Sequence, residues 1–124
     1  MKYLLYTDGG CSNGIGGCAF VILKNDLIVC RYCKKFTNTT NNRMELMAVI
    51  IGLESIKKIS EVVIYTDSMY VIGCASLNWK RNKNMDLWER YDKINHSVTF
   101  VHVKGHTGDI YNELCDFMVK NVLS

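Results

Sequence analysis

Two copies of the triplet Tyr-Thr-Asp stand far apart in the chain, at Tyr6-Thr7-Asp8 and at Tyr65-Thr66-Asp67, the second followed by Ser68. Each closes a short apolar run, Tyr3-Leu4-Leu5 before the first and Val62-Val63-Ile64 before the second. Such runs, bounded by polar residues, read as buried strands. A long helical pattern beginning near Arg43 lies between them and supplies the crossover that two parallel strands require. Neighbouring parallel strands would bring Asp8 and Asp67 out side by side at the carboxyl end of a sheet, where open α/β sheets place their ligands. Two carboxylates there repel one another, and a divalent cation is the usual remedy.

Further acids can join this pair, although each also has a purely structural explanation. Glu45 stands in the first turn of the crossover helix, and Asn42-x-x-Glu45 resembles a capping box. Asp67 or Ser68 would cap a short helix that follows. Asp116 lies on the final helix and reaches the others if that helix crosses the same sheet edge. His106, in the loop Lys104-Gly105-His106-Thr107-Gly108-Asp109, matters only if acids lie near it. Four carboxylates with no His or Cys ligand set favour hard cations, Mg²⁺ or Mn²⁺, over zinc. Two such ions ~4 Å apart stabilise both the attacking and the leaving oxygen of an in-line phosphoryl displacement.

The elements that must position these residues follow from periodicity. Lys2 to Asp8 is the first strand, and Gly9 to Gly17 a glycine-dense turn. That turn is either a flexible connection or a place where a large polyanion approaches the backbone beside Asp8. Cys18 to Lys24 and Leu27 to Phe36 form the next two strands, joined by a tight hairpin at Asn25-Asp26, so that strands one to three make an antiparallel meander. The helix from Arg43 to Lys58 is apolar nearly all round and is therefore buried. Gly52 inside it costs about 1 kcal/mol relative to Ala and calls for close packing. A fourth strand, Val62 to Asp67, leads to a helix from Ser68 to Ala75. Asn78-Trp79-Lys80-Arg81-Asn82-Lys83-Asn84 is a basic segment with one aromatic, a pattern suited to base stacking beside cations. A helix from Asp86 to Asn95, a fifth strand from Val98 to Val103 and a helix from Ile110 to Val122 complete an α/β domain spanning residues 1–124.

Composition narrows the class. The chain of 124 residues is 48% hydrophobic and 22% charged, as in a soluble globular domain, and no apolar run approaches membrane-spanning length. Its formal net charge of +3 leans mildly toward polyanionic partners. Six cysteines without a signal peptide point to a reducing, cytoplasmic setting rather than a disulfide framework. Cys30 and Cys33 have C-x-x-C spacing, but in a strand they face opposite sides and read as structural thiols.

The motifs together resemble type 1 ribonuclease H. The likeness is carried by Tyr6-Thr7-Asp8-Gly9-Gly10, by Thr39-Thr40-Asn41-Asn42-Arg43-Met44-Glu45-Leu46-Met47-Ala48 and by Tyr65-Thr66-Asp67-Ser68. It continues through Val103-Lys104-Gly105-His106-Thr107-Gly108, Asn112-Glu113 and Asp116. It implies an RNase H-like fold: a five-stranded mixed sheet, strands one, four and five parallel, flanked by helices. It further implies hydrolysis of the RNA strand of RNA·DNA hybrids, leaving 5′-phosphate and 3′-hydroxyl ends. Asp8 would bridge two Mg²⁺ ions, Asp116 would hold the ion that activates water, and Glu45 with Asp67 the ion on the leaving-group side. His106 would assist proton transfer or product release. Glu45, Asn13 and Asn41 would read RNA 2′-hydroxyls, Thr40 and Asn78 a DNA phosphate, and Trp79 the DNA strand. Gly9, Gly10, Asn42, Lys80 and Asn112 complete the expected substrate-binding set.

Three departures from many members qualify the likeness. Met69 replaces a polar residue after Thr-Asp-Ser, the Asp8 loop lacks prolines, and the stretch from Trp79 to Trp88 is too short for a long basic protrusion, leaving Lys80, Arg81 and Lys83. A non-cutting hybrid-binding module, another nuclease of the same fold and a domain whose acids only cap helices are the competing readings. A monomeric, free-standing enzyme is expected, the chain starting at a Met without a linker. Because Lys/Arg–phosphate contacts dominate affinity, activity should fall steeply between low and physiological salt, and a flat response in a salt titration would refute the weak-grip reading.

Overall fold

The computed structural model describes residues 1–104 and 109–124. Its elements are β1 (Lys2–Ser12), β2 (Ile15–Lys24), β3 (Leu27–Thr37), α1 (Asn41–Ser55), β4 (Glu61–Thr66), α2 (Met69–Ser76), α3 (Met85–Asp92), β5 (Ser97–His102) and α4 (Ile110–Leu123). The five strands form one sheet in the order β3-β2-β1-β4-β5. β1, β2 and β3 pair antiparallel, while β1, β4 and β5 run parallel. This is the mixed sheet the sequence implies.

Alternation along the strands divides the core between two faces. Leu5, Phe20 and Ile22 meet α1 on one face, where Leu46, Val49, Ile50 and Leu53 pack with Val71 of α2 and Leu87 and Trp88 of α3. Tyr6, Ala19, Val21 and Leu23 meet Cys115 and Val119 of α4 on the other. Cys30 belongs to the first face and Cys33 to the second, and all six cysteines are free thiols. Gly52 packs directly on Leu5, which explains a glycine inside a buried helix. The Asn25-Asp26 hairpin has both residues at positive φ (53° and 63°), the conformation of the turns that suit strand twist.

Two expectations change. The glycine-dense stretch from Gly9 to Gly17 is not an open turn: β1 continues to Ser12 and β2 starts at Ile15, with Gly9 opposite Cys18 and Gly10 opposite Gly17. The reversal is confined to Asn13 and Gly14, at φ 54° and 76°. Glycine density signals a loop in sequence, but here the missing side chains admit helices. A Cβ on Gly9 would strike the backbone of Met44 and Glu45, and one on Gly10 would press on Val119 of α4. The second change is at α1, which begins at Asn41, two residues early, and ends at Ser55. Its cap is Thr40, whose Oγ1 accepts from the Arg43 N–H at 3.3 Å, so the Asn42–Glu45 capping box does not form.

Gly9 therefore sets how closely the first turn of α1 can approach β1. Gly9→Ala places a methyl against backbone that cannot yield as a side-chain tip would. It is expected to destabilise the fold by about 1–3 kcal/mol in denaturant unfolding, the scale of core overpacking. Gly14→Asn, in open space and in a residue type tolerant of positive φ, should stay close to wild type.

Candidate active site

The helix caps are accounted for without the acids of interest. Thr40 caps α1, Ser68 caps α2 through its Oγ to the Val71 N–H, and Asp109 caps α4 by accepting from the Tyr111 and Asn112 N–H groups. Glu45, Asp67 and Asp116 are left with no capping task.

Parallel pairing in register puts Tyr6 opposite Tyr65, and their rings stack at 4.4 Å with planes 7° apart. Asp8 and Asp67 each lie two residues beyond that pair, so the two triplets end at the same level of the sheet. The close approach of α1 over Gly9 adds Glu45. One carboxylate oxygen from each of Asp8, Glu45 and Asp67 lies within 4.8 Å of the others. Asp8 is 9% exposed and Glu45 7%, while Asp67 is open to solvent.

Such crowding is electrostatically costly. Burial first, then the charges of Asp67 and Asp116, push the Asp8 carboxyl up to about 7, against the smaller opposing pull of the Gly9 amide and Lys120. Glu45 is driven well above the usual carboxylate range by burial, then by the neighbouring carboxylates of Asp8 and Asp67. Glu45 Oε1 is buried, and among the described residues no amide or hydroxyl donor reaches it. An orphaned acceptor in an all-carboxylate group fits a hard divalent cation, which would satisfy that oxygen and neutralise the repulsion.

Asp116 stands apart from this group of three. It projects from α4, its charge is felt at Asp8, and the Nζ of Lys120 one turn on holds it at 3.0 Å. The fourth acid thus carries its own counter-ion, which its i, i+4 spacing from Lys120 could have signalled.

An RNase H family model matches residues 1–124. Ribonuclease H of Caldicellulosiruptor saccharolyticus is 40% identical, the match covering 98% of this chain and 96% of that protein. The chain belongs to the ribonuclease H family. Among solved structures, the N-terminal RNase H domain of rv2228c from Mycobacterium tuberculosis superposes with a TM-score of 0.87 at 19% identity, over 100% of both chains. LC11-RNase H1 in complex with an RNA/DNA hybrid gives 0.75 at 23% identity, over 98% of this chain and 99% of that one.

The other residues that the ribonuclease H likeness nominated are placed unevenly. The Thr39 N–H donates to the Gly14 carbonyl at 3.2 Å, tying the Asn13 turn to the residues leading into α1. Thr40, Asn41 and Asn42 line a cavity of about 270 Å³ with Lys83 and Asn84. Asn78 (φ 61°), Trp79, Lys80 and Arg81 line another, of about 430 Å³, against the end of α2. Gly9 and Gly10 lie in β1 under α1 and α4, each partly exposed, with a Cβ on Gly9 meeting α1 and one on Gly10 meeting α4. Asn112 is buried in the first turn of α4. His106 lies outside the described residues. His102 places its Nε2 at 3.3 Å from the Asp67 carbonyl, a contact that strand periodicity does not disclose.

The basic segment also differs from expectation. Arg81 is turned inward: its Nε donates to the Cys74 carbonyl at 3.0 Å, its Nη1 pairs with Asp92 at 2.7 Å, and its guanidinium lies 4.3 Å from the Trp88 ring centre. Lys80 and Lys83 alone remain as outward cations of that stretch.

The raised carboxyls have a consequence for the cation-free protein. Asp8 has a folded value of about 7 against 3.8 unfolded, so between these limits the native state holds the proton that the unfolded chain has lost. Stability is therefore fully present below the lower value and falls as pH rises toward the upper one. In chelator, Asp8→Asn should melt above wild type at about pH 8 and lose that advantage near pH 4, on the scale of a few kcal/mol or less. Saturating Mg²⁺ should reverse the order. Thermal melts across pH with and without the cation check both statements.

Proposed function

We propose that the protein is an endonuclease that hydrolyses the RNA strand of RNA·DNA hybrids, leaving 5′-phosphate and 3′-hydroxyl ends. The observation that carries this reading is the convergence of Asp8, Glu45 and Asp67 within 4.8 Å at the end of the parallel strands. Family membership, and the hybrid held by a protein of the same fold, support it.

In this reading Asp8 would serve two divalent cations, Glu45 and Asp67 would hold the one on the leaving-group side, and Asp116 would help hold the other. Mg²⁺ is the proposed ion, with Mn²⁺ a substitute. Bound there, the cations would lower the pKa of the attacking water and stabilise charge on the attacking and leaving oxygens. The chain's own contribution is position. Gly9 brings Glu45 against Asp8, the paired Tyr-Thr-Asp ends fix Asp8 beside Asp67, and burial keeps bulk water from screening Asp8 and Glu45. Lys120 engages Asp116 through Oδ2, which leaves Oδ1 as the oxygen that would face the cation.

Substrate selection is proposed to lie in the surface around the carboxylates. Asn13 in the β1–β2 turn, Asn41 at the start of α1 and Glu45 over Gly9 would distinguish RNA through its 2′-hydroxyls. Trp79, 49% exposed, offers one ring face for stacking, while Thr40, Asn78, Lys80 and Lys83 take phosphates. His106 would assist proton transfer. The six free thiols suit a reducing compartment such as the cytoplasm, and residues 1–124 act as one domain and a monomer. No helix among the described residues is long and apolar enough to cross a membrane.

Labelled RNA·DNA, RNA·RNA and DNA·DNA duplexes with Mg²⁺ test the reading. Only the hybrid should be cut, and only in its RNA strand. Asp8→Asn and Asp67→Asn should each lower the rate at least ~100-fold, since a ligand of a catalytic cation matters at least as much as the groups that orient it. Both should keep the fold and bind the hybrid. Hybrid binding without cutting by the wild type would instead establish the binding-module alternative.

A further inference from the structure

The segment between α2 and α3, residues 77–84, has no strand or helix of its own, yet it is pinned at both ends. At the start, the Trp79 N–H donates to the Gly73 carbonyl at 3.0 Å and the indole lies flat on Gly73, where any Cβ would strike the ring. At the other end the anchor comes from a different part of the fold. Arg43, in the first turn of α1, forms a two-pronged pair with Asp86, Nη1 to Oδ1 at 3.0 Å and Nη2 to Oδ2 at 2.8 Å. Its Nη1 also donates to Asn84 Oδ1 at 3.3 Å.

Asn84 is arranged for this contact. It occupies the cap position of α3 in a left-handed conformation (φ 60°) and makes no side-chain cap bond. Its side chain instead accepts from Arg43 and donates through Nδ2 to the Tyr70 hydroxyl at 2.9 Å, which also accepts from Trp88 Nε1 at 3.0 Å. A cation in the first turn of a helix opposes the helix dipole, so Arg43 is an unfavourable choice for α1 taken alone. The planar fork on Asp86 supplies a reason for it. The guanidinium holds the Asp86 carboxyl down at about 2, so Asp86 stays ionised at any working pH. Between the two banks lies the cavity lined by Thr40, Asn41, Asn42, Lys83 and Asn84.

We propose that Arg43 is a positioning residue for substrate: through Asn84 and Asp86 it fixes the segment bearing Trp79, Lys80 and Lys83 at a set distance from the first turn of α1. This rests on the hybrid-nuclease reading. A bank fixed before binding spares the ordering cost that a loose loop incurs on binding, and that benefit applies equally to ground and transition states. Arg43 thus governs affinity for the hybrid and leaves the hydrolytic step alone.

Arg43→Gln, Asp86→Asn and the double variant, assayed on hybrid with Mg²⁺, separate this role from a merely structural one. Each single variant should raise KM by about three- to ten-fold with kcat within about two-fold, and the double variant should be no worse than the singles. Exchanging the charges, Arg43→Asp with Asp86→Arg, should recover part of the loss. Trp88 is buried and Trp79 exposed, so acrylamide quenching should increase in the single variants through Trp79. If Arg43→Gln folds poorly, Asp86→Asn alone, at an exposed carboxylate, still decides. Unchanged KM with unchanged quenching, or a fall in kcat at constant KM, overturns the inference while leaving the nuclease reading intact. A wild type that does not cut hybrid overturns that reading, and the inference falls with it.

Discussion

The site depends on one absence, the missing side chain of Gly9. The backbone of α1 at Met44 and Glu45 occupies the volume where a Cβ would stand. That contact carries Glu45 beside Asp8, and parallel pairing of β1 with β4 carries Asp67 to the same level. Three carboxyl side chains are thereby forced into a small volume, two of them buried. The fold tolerates this because apolar packing elsewhere, α1 against Leu5, Phe20 and Ile22 and α4 against Tyr6 and Val21, holds the elements in place. Stability is spent on a local arrangement that only a bound cation or shared protons relieve, as expected where function and packing compete.

The nearby cations belong to the same balance. Lys120 pairs with Asp116 and moderates Asp8, whereas Arg81 and Arg43 are committed to Asp92 and Asp86. The charges that face outward beside the site are therefore fewer than a count of basic residues indicates. The short segment after α2 does not regain the surface of a long protrusion. It holds what it has, Trp79 and two lysines, in a fixed place.

Much of this was legible in the sequence, for definite reasons. The repeated Tyr-Thr-Asp triplet marks equivalent ends of two strands, and a helix between them leaves few topologies open. The Asn25-Asp26 turn and the glycine in α1 carry their own steric logic. What escaped was set by partners remote in sequence. Gly9 to Gly17 reads as a loop until two helices are seen to need the space. Asn42 and Glu45 have cap spacing, yet Thr40 takes the position and Glu45 is drawn inward. Arg81 looks like a substrate cation until Asp92, Trp88 and the Cys74 carbonyl claim it. Local pattern specifies element type well, but not which of several polar neighbours wins a given side chain.

Burial and the neighbouring carboxylates raise the Asp8 carboxyl to about 7 and push Glu45 up as well, so a divalent cation binding there must displace protons. Titration calorimetry of Mg²⁺ binding at about pH 7, in two buffers of different ionisation enthalpy, measures this directly. The heats should differ between the buffers in proportion to released protons, with the difference much reduced in Asp8→Asn and Glu45→Gln. Identical heats in both buffers, at an affinity neither substitution alters, would contradict it.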